Sequence, residues 1–291
     1  MLYMLLAIFG GAAVSIVLKL FSSDSGNRFG IILGNYLTCI VLAVLFLPEK
    51  GQIVSFPTVP LLCGLVAGCF YVGGLVSMQS SIAKNGAAIT AAFAKLGLIV
   101  SVGLSLFFGE RPGVTQLVGV VLALIAMVVM NTGGKKTNNA DKASGASKSG
   151  AFLLLLVLLA GGGSEGMSKV FDQVGSEGEK PLFLFYLFSM AALLAAVLAV
   201  VEYLRTKKKL RWRDLAAGIA VGAPNYLSSY WLLKSLSAVQ GTVVYPVVSG
   251  GAIVVVTLVS VLFLHEKPTR RQAIGLGLIL VSLVLLNLPA A

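Results

Sequence analysis

Long apolar segments follow one another along almost the whole chain, and most are separated by only a short polar stretch. A helix that crosses about 30 Å of hydrocarbon needs about 20 apolar residues. Ten segments meet that length: residues 2–20, 30–47, 59–81, 87–108, 114–131, 151–171, 182–204, 213–236, 241–264 and 271–288. The pattern predicts an all-α integral membrane protein with ten transmembrane helices. Most connections are short, so consecutive helices are expected to lie antiparallel.

One connection differs from the others in length and composition. Residues 132–150, TGGKKTNNADKASGASKSG, are polar, rich in glycine and serine, and lack any apolar period. We interpret this segment as a flexible linker. It divides the chain into two candidate units of five helices each, residues 1–131 and 151–291.

The two candidate units repeat short sequence features at nearly constant spacing. At an offset of 156 residues, Glu110 corresponds to Glu266, Pro112 to Pro268, Gln116 to Gln272, Gly119 to Gly275 and Asn131 to Asn287. At an offset of 150, Gly11 corresponds to Gly161, Tyr36 to Tyr186 and residues 19–21 to residues 169–171. Gly64-xxx-Gly68 and Gly218-xxx-Gly222 also correspond, and such spacing allows close helix packing. Five is an odd number, so the second copy must run upside down, which is the inverted repeat typical of secondary transporters.

Composition and charge exclude several classes of protein. Of 291 residues, 57% are hydrophobic and 11% are charged, and the mean hydropathy is +0.95. A soluble enzyme and a disordered protein are excluded. The net charge of +11 comes from residues between apolar runs, a pattern of membrane orientation and not of nucleic-acid binding. No basic region precedes the first apolar run, so we expect a retained helix and not a signal peptide.

The distribution of basic residues predicts the orientation in the membrane. Sixteen lysines and arginines fall on one side of the predicted helices and five on the other. The positive-inside rule then places the linker in the cytoplasm and both termini outside. We expect a multi-pass protein of the cell membrane.

Cysteine and histidine exclude further chemistry. Cys39, Cys63 and Cys69 lie in apolar stretches without ligand spacing, so neither disulfides nor a metal site is expected. His265 is the only histidine, and no aspartate lies deep in a predicted span. These facts exclude intramembrane proteases of the Ser–His, zinc and paired-aspartate types. We therefore expect neither an enzyme nor a bound cofactor.

The Glu-Arg/Lys-Pro turn, followed by glutamine and glycine, resembles the EamA repeat of the drug/metabolite transporter superfamily. The resemblance covers nearly the whole chain as two repeats. Residues 245–253, YPVVSGGAI, are similar to a helix of the related small multidrug resistance family that lines the substrate chamber. The resemblance implies a ten-helix carrier that moves small metabolites or drugs, usually outward, by proton coupling or exchange.

Two features depart from these families. The membrane glutamate of the multidrug family would fall on Gly11 and Gly161, so that proton site is not carried over. Many EamA carriers are drawn with cytoplasmic termini, whereas the charge bias here predicts the reverse.

Two ionisable residues lie well inside predicted spans, where charge is costly and is by default a functional hypothesis. Glu165 lies in the run GGGSEGMSK, whose glycines leave room for a hydrated pocket. It is a candidate for proton or cation coupling, or it neutralises a nearby lysine. Lys95 could pair with Glu165, or it could bind a carboxylate or phosphate of the substrate. The repeat counterpart of Lys95 is Gly251, an asymmetry that an asymmetric substrate would require.

Polar and aromatic residues cluster in the second candidate unit. They are Asn225, Tyr226, Tyr230 and Trp231 on one helix, and Tyr245 and Ser249 on the next. Pro224 and Pro246 are expected to break these helices and to free backbone carbonyls. We predict a binding pocket here, with an interfacial aromatic belt as the alternative for Tyr230 and Trp231.

The lysines near helix ends and the repeated Glu-Arg/Lys-Pro turns have structural interpretations as well. Lys19 and Lys169 are candidates for the site, but snorkelling anchors are the favoured interpretation, as for Lys234. In each Glu-Arg/Lys-Pro turn we expect the proline to start the following helix. The carboxylate would then lie near the positive end of that same helix.

These features together predict a secondary active transporter that uses alternating access. The substrate would lie between the halves near Lys95, Glu165, Tyr226 and Tyr245. The alternative is a translocase of a lipid or lipid-linked anionic intermediate, whereas a scaffold has no need of buried charge. Expected partners are a small-molecule substrate, protons and the lipid bilayer, but no nucleic acid. Because one chain carries both repeats, a monomer could suffice.

Overall fold

The regular structure of the chain is helical. The computed structural model describes residues 1–21, 28–131, 148–207, 211–263 and 269–288. The helices in these ranges are α1 (Leu2–Phe21), α2 (Arg28–Phe46), α3 (Gln52–Ser55), α4 (Thr58–Asn85), α5 (Ala87–Leu96), α6 (Leu98–Phe107), α7 (Val114–Asn131), α8 (Lys148–Val174), α9 (Lys180–Thr206), α10 (Trp212–Leu236), α11 (Gly241–Leu262) and α12 (Arg270–Asn287). No strand occurs in the described residues, so the all-α prediction is confirmed.

Seven of the described helical segments are long and apolar enough to cross a membrane. They are Phe29–Phe46, Thr58–Asn85, Ile89–Phe107, Ser149–Val174, Glu177–Thr206, Gly241–Leu262 and Arg270–Asn287. Leu2–Leu18 and Val114–Met130 are apolar but shorter. Helix α10 is in neither group, and it carries the charged residues Arg213, Asp214 and Lys234. The count of ten spans and the inverted five-plus-five repeat stay predictions.

The predicted span 87–108 is interrupted at Gly97, between α5 and α6. The Val100 N–H donates to the Gly97 carbonyl at 2.9 Å, a tighter turn than that of an α-helix. A Cβ atom on Gly97 would lie 2.9 Å from the backbone nitrogen of Gly162 and 3.0 Å from the Leu158 carbonyl oxygen. Glycine at this position therefore lets α8 approach the interruption closely.

The prediction that two prolines break their helices is wrong. Helix α10 runs through Pro224 and α11 runs through Pro246. A proline removes one backbone hydrogen bond, but a membrane helix continues when the packing around it holds the flanking turns. Residues 241–247 around Pro246 are all buried, which agrees with this explanation.

The chain divides into two compact units that do not follow the sequence repeat. The first unit comprises Met1–Val72 and Val170–Ala238, and the second comprises Gly73–Lys169 and Val239–Ala291. The first unit contains α1, α2, α9 and α10, and the second contains α5, α6, α7, α11 and α12. Each unit thus takes helices from both candidate sequence halves, whose division at residues 132–150 stays a prediction. Most of that linker lies outside the described residues.

Glycines bring α2 and α10 into backbone contact within the first unit. A Cβ atom on Gly218 would lie 2.7 Å from the Asn35 nitrogen and 2.8 Å from the Gly34 Cα atom. One turn further along α10, a Cβ atom on Gly222 would lie 2.7 Å from the Asn35 carbonyl oxygen. The predicted close-packing role of Gly218-xxx-Gly222 is therefore confirmed.

The corresponding pair on α4 packs in the same way against α9. A Cβ atom on Gly64 would lie 2.8 Å from the Phe183 carbonyl oxygen. A Cβ atom on Gly68 would lie 2.6 Å from the Leu187 carbonyl oxygen. Both repeated glycine pairs thus allow the backbones of neighbouring helices to touch.

We expect Gly218→Ala to force α2 and α10 apart, because the added methyl group meets backbone atoms that cannot rotate away. Overpacking of this kind lowers the free energy of unfolding by about 1–3 kcal/mol. The thermal unfolding midpoint of the purified protein in detergent measures the effect. Gly277→Ala on α12 is the matched control, since a Cβ atom there meets nothing within 4 Å. Equal midpoints for the two variants would contradict the close-packing argument.

Candidate substrate and coupling site

The two ionisable residues that the sequence places well inside predicted spans line one small cavity in the second unit. The cavity has a volume of about 80 Å³ and is lined by Ala94, Lys95, Gly97, Leu98, Met127, Gly161, Glu165 and Ser249. One water takes about 30 Å³ in the liquid, so a few waters fit. Pockets for drug-sized ligands have roughly 300–1,000 Å³. A substrate of that size would therefore require the cavity to widen.

Glycines let neighbouring helices approach closely beside this cavity. Lys95 precedes the interruption at Gly97 by two residues, and Glu165 follows the glycine run 161–163 on α8. A Cβ atom on Gly162 would collide with the Gly97 carbonyl oxygen and would lie 2.6 Å from the Val100 Cβ atom. Gly162 thus brings α6 and α8 together, whereas Gly161 lines the cavity.

Glu165 is half-buried and has two polar contacts in the second unit. The buried Ser101 hydroxyl donates to Oε2 of Glu165 at 3.1 Å. The buried Tyr245 hydroxyl donates to the backbone carbonyl of Glu165 at 3.0 Å. Tyr245 therefore holds the backbone of α8, while Ser101 holds the carboxylate. Ser249, one turn after Tyr245 on α11, lines the cavity itself.

Lys95 shares the cavity with Glu165 without a direct ion pair. Lys95 is exposed, and no carboxylate among the described residues lies within 4 Å of its ammonium group. A lysine and a carboxylate that line one cavity attract each other, but the lysine here retains its capacity to bind another anion. This arrangement agrees with either a coupling role or a substrate-binding role.

Lys169 is not a snorkelling anchor, and the favoured interpretation of this residue is wrong. Its Nζ atom lies 2.9 Å from Oε1 of Glu110, and the two side chains are only 3% and 10% exposed. An ammonium group stays buried when it has such a partner. The side chain of Lys19, its repeat counterpart, lies outside the described residues.

The Glu110 carboxylate caps a different helix from the one predicted. Its Oε1 accepts the Gly241 N–H at 2.8 Å, and its Oε2 accepts the Thr242 N–H at 2.9 Å. These are the first amides of α11, which lack partners inside their own helix. The carboxylate therefore stabilises α11 and not α7, since α11 is its neighbour in space. The corresponding Glu266 and Pro268 lie outside the described residues.

The surroundings of Glu110 also set its protonation. Burial alone raises the pKa of Glu110, but the hydrogen bonds from Lys169, Thr242 and Gly241 outweigh it and hold that pKa below the ordinary carboxyl value. A pKa lower in the folded than in the unfolded state means that the ionised group stabilises the fold. That stabilisation is complete above the unfolded-state pKa and is lost as the pH falls through the folded-state pKa.

Asn225 links two helices of the first unit. Its amide donates to Oδ1 of Asn35 at 3.1 Å. The Cys39 thiol donates to the Gly222 carbonyl beside it at 3.3 Å. Both asparagines are buried, so the amide of Asn225 is used in packing α2 against α10.

An aromatic group continues from Asn225 along α10. Tyr226 is fully buried, and its hydroxyl has no hydrogen-bond partner among the described residues. Its ring lies 5.4 Å from that of Phe46 and 6.1 Å from that of Tyr230. Trp231 stacks on Tyr3 with ring centroids 5.4 Å apart. These residues belong to the first unit, whereas Lys95, Glu165, Tyr245 and Ser249 belong to the second.

A buried ionic group near the end of α10 was missed by the sequence analysis. Lys180 is 2% exposed, and its ammonium contacts Oε2 of Glu177 at 2.7 Å and also the Ser237 hydroxyl. Lys234 lies 2.6 Å from Oε1 of Glu177, so this predicted anchor has a carboxylate partner. The i, i+3 spacing of Glu177 and Lys180 was the available signal. Ser101 was missed too, since only the fold brings it to Glu165.

Comparison with known proteins gives matches to one family model and to solved structures. Residues 148–288 match the sequence model of the EamA-like transporter family. No curated protein matches the chain. Among solved structures, a crystal structure with 17% sequence identity matches with a TM-score of 0.73, covering 99% of this chain and 96% of the other. At that identity the similarity shows the fold alone.

We expect Glu110→Gln to destabilise the protein, because it removes the carboxylate charge that lies 2.9 Å from the buried Lys169 ammonium. Removing one partner of a buried pair costs about 3 kcal/mol. Thermal unfolding midpoints should be lower than those of the wild type at neutral pH. The difference should shrink below the ordinary carboxyl pKa, because the wild type then loses the same charge. Arg111→Gln, an exposed neighbour in the turn, is the control, and a pH-independent difference would contradict the assigned role.

Proposed function

We propose that this chain, in which residues 148–288 match the sequence model of the EamA-like transporter family, is a secondary active transporter of a small metabolite or drug. The family consists of membrane transporters, and no catalytic role is proposed. The observation that carries the proposal is the cavity of the second unit, where Lys95 and Glu165 face the same space. Opposite charges at a shared cavity in a membrane helix bundle are costly unless they bind or move something.

Glu165 is proposed as the coupling group. When it is ionised, its charge attracts the Lys95 ammonium across the cavity. When a proton neutralises it, Lys95 is left as the excess charge and the cavity favours an anion. A substrate with a carboxylate or phosphate would then bind together with the proton, and loss of the proton would weaken its binding.

Alternating access requires two packings of the same helices that differ by a few kcal/mol. The volume of about 80 Å³ is too small for a metabolite, which supports assigning this conformation to a state without substrate. The interruption at Gly97 divides the span that carries Lys95, so α5 can tilt separately from α6. Ser249 and Tyr245 are proposed to contact the substrate or to hold α8 during this change.

The aromatic group is proposed as a candidate binding surface of the first unit by itself. Tyr226 supports this role best, because its buried hydroxyl has no partner among the described residues. Tyr230 and Trp231 provide neighbouring aromatic surface. Asn225 is the weakest candidate, since its amide already binds Asn35.

We expect Glu165→Gln to abolish substrate flux driven by a pH gradient in proteoliposomes. Glutamine keeps an acceptor for Ser101 but cannot take up a proton, so the driven flux should fall by about 100-fold or more. The unfolding midpoint should stay close to that of the wild type. Glu202→Gln on α9 is the matched control for a buried carboxylate, since Glu202 is 8% exposed. Wild-type driven flux in Glu165→Gln would remove this carboxylate from the mechanism.

We expect Lys95→Gln to lose binding of anionic ligands. A thermal-shift screen of carboxylates, phosphates, amines and polyisoprenyl phosphates on the wild type identifies the ligand class, because a ligand of the folded state raises the midpoint. The shift caused by an anionic ligand should disappear in Lys95→Gln and persist in Lys84→Gln, an exposed lysine at the end of α4. A retained shift would contradict the role of Lys95, and a shift with polyisoprenyl phosphates alone would favour a lipid translocase.

A further inference from the structure

We propose that a row of buried hydroxyl groups, those of Ser101, Ser105 and Thr242, conducts protons between Glu165 and the turn that contains Glu110. We call this row the hydroxyl path. The inference rests on the proposed function, in which Glu165 is the coupling group. It adds the route by which protons reach a carboxylate that the helices enclose.

The path begins at the Glu165 carboxylate. Ser101 donates to its Oε2 at 3.1 Å. Ser105 lies four residues later on the same buried face of α6, about 6 Å further along the helix axis. Both serines are 0% exposed. The row therefore leads from Glu165 towards the turn that follows α6.

The Ser105 hydroxyl and the Glu110 carboxylate both lie close to Gly241. The Cβ position of Gly241 lies in contact with the Ser105 hydroxyl and 3.4 Å from Oε1 of Glu110. Because Gly241 has no side chain, the Ser105 hydroxyl fits beside the start of α11. Thr242 is the next residue of α11, and its N–H donates to the Glu110 carboxylate at 2.9 Å. Ser105 and Thr242 thus both lie beside the start of α11 that Glu110 caps.

The hydroxyls of Ser105 and Thr242 have no hydrogen-bond partner among the described residues, although both residues are 0% exposed. A buried polar group without a partner costs about 1–3 kcal/mol. Other hydroxyls in this unit avoid that cost by donating to their own helix. Ser164 bonds to the Gly161 carbonyl at 2.9 Å, and Ser282 bonds to the Ile279 carbonyl at 2.7 Å. Ser105 and Thr242 therefore call for another partner, as does the Thr115 hydroxyl elsewhere in this unit.

A hydroxyl can accept one hydrogen bond while it donates another, so it can pass a proton along. In the proposed step, a proton enters at the exposed turn around Gly109 and Arg111. No hydrogen bond joins these hydroxyls directly, and Ser101 and Ser105 lie about 6 Å apart along the helix, so we place a bridging water molecule in each gap. Each hydroxyl or water takes a proton on its oxygen and releases its own to the next acceptor. The Glu165 carboxylate gains one proton and the water outside loses one. No other bond forms or breaks, and the return step reverses the order.

The charges around the path permit this transfer. Lys169 lies one turn from Glu165 on α8 and would repel a proton, but Glu110 neutralises it at 2.9 Å. Lys95 on α5 faces Glu165 across the cavity. Tyr245 on α11 binds the Glu165 backbone and leaves the carboxylate to Ser101. The Glu110–Lys169 pair beside the path thus carries no net charge.

A laser-triggered pH jump with time-resolved infrared detection tests the path without any substrate. The probe is the proton itself, and the signal is the carbonyl stretch of protonated Glu165, identified by its absence in Glu165→Gln. In the double variant Ser105→Ala/Thr242→Val we expect the band to form about ten-fold more slowly, which corresponds to about 1.4 kcal/mol added to the barrier. Its final amplitude should be unchanged. Thr242→Ser in place of Thr242→Val should restore part of the rate, and Ser282→Ala should match the wild type.

The outcomes separate this inference from the proposed function. A wild-type rate in the double variant would overturn the hydroxyl path and leave Glu165 as the coupling group. A slower rate with an altered amplitude, or an equal loss in Ser282→Ala, would indicate a general disturbance and would also overturn the path. If the wild type shows no band that is lost in Glu165→Gln, the proposed coupling function itself is wrong.

Discussion

The second unit depends on how one helix accommodates two charges in a low-dielectric setting. Helix α8 carries Glu165 and Lys169 four residues apart, and a membrane helix tolerates such groups only with partners. Lys169 finds Glu110, whose carboxylate also satisfies the first amides of α11. One ion pair therefore links α8, the turn after α6 and the start of α11. Glu165 lies one turn before Lys169 on α8, where it contacts Ser101 of α6.

Glycine solves the same packing problem in both units but with different results. In the first unit, Gly34, Gly218 and Gly222 close the distance between α2 and α10 and leave a packed interface sealed by the two asparagines. In the second unit, Gly97 and Gly162 bring α6 and α8 together beside a cavity that Gly161 lines. The two interfaces differ because Lys95 and Glu165 give the cavity beside α6 and α8 a polar lining.

The sequence predicted the helices well because the length of an apolar run is set by hydrocarbon thickness, which needs no knowledge of neighbours. It failed where a spatial neighbour decides the outcome. Lys169 was interpreted as an anchor because its partner Glu110 is distant in sequence. The Glu110 carboxylate was expected to cap α7, which follows it in sequence, but it caps α11, which is its neighbour in space. The interruption at Gly97 depends on the approach of α8, while Pro224 and Pro246 do not end their helices. Glu165 and Lys95 were found because charge inside an apolar run is a local signal.

The interruption at Gly97 has an electrostatic consequence. A helix of ten residues is about 15 Å long, so α5 and α6 each match only half of a hydrocarbon layer of about 30 Å. Two helix ends of opposite polarity therefore meet inside the span, with the partial negative charge of the α5 carbonyls beside Lys95 in its last turn. Such a terminus stabilises a cation by about 0.3–1 kcal/mol. The backbone itself thus gives a favourable electrostatic contribution at Lys95, for which the described residues show no ion pair.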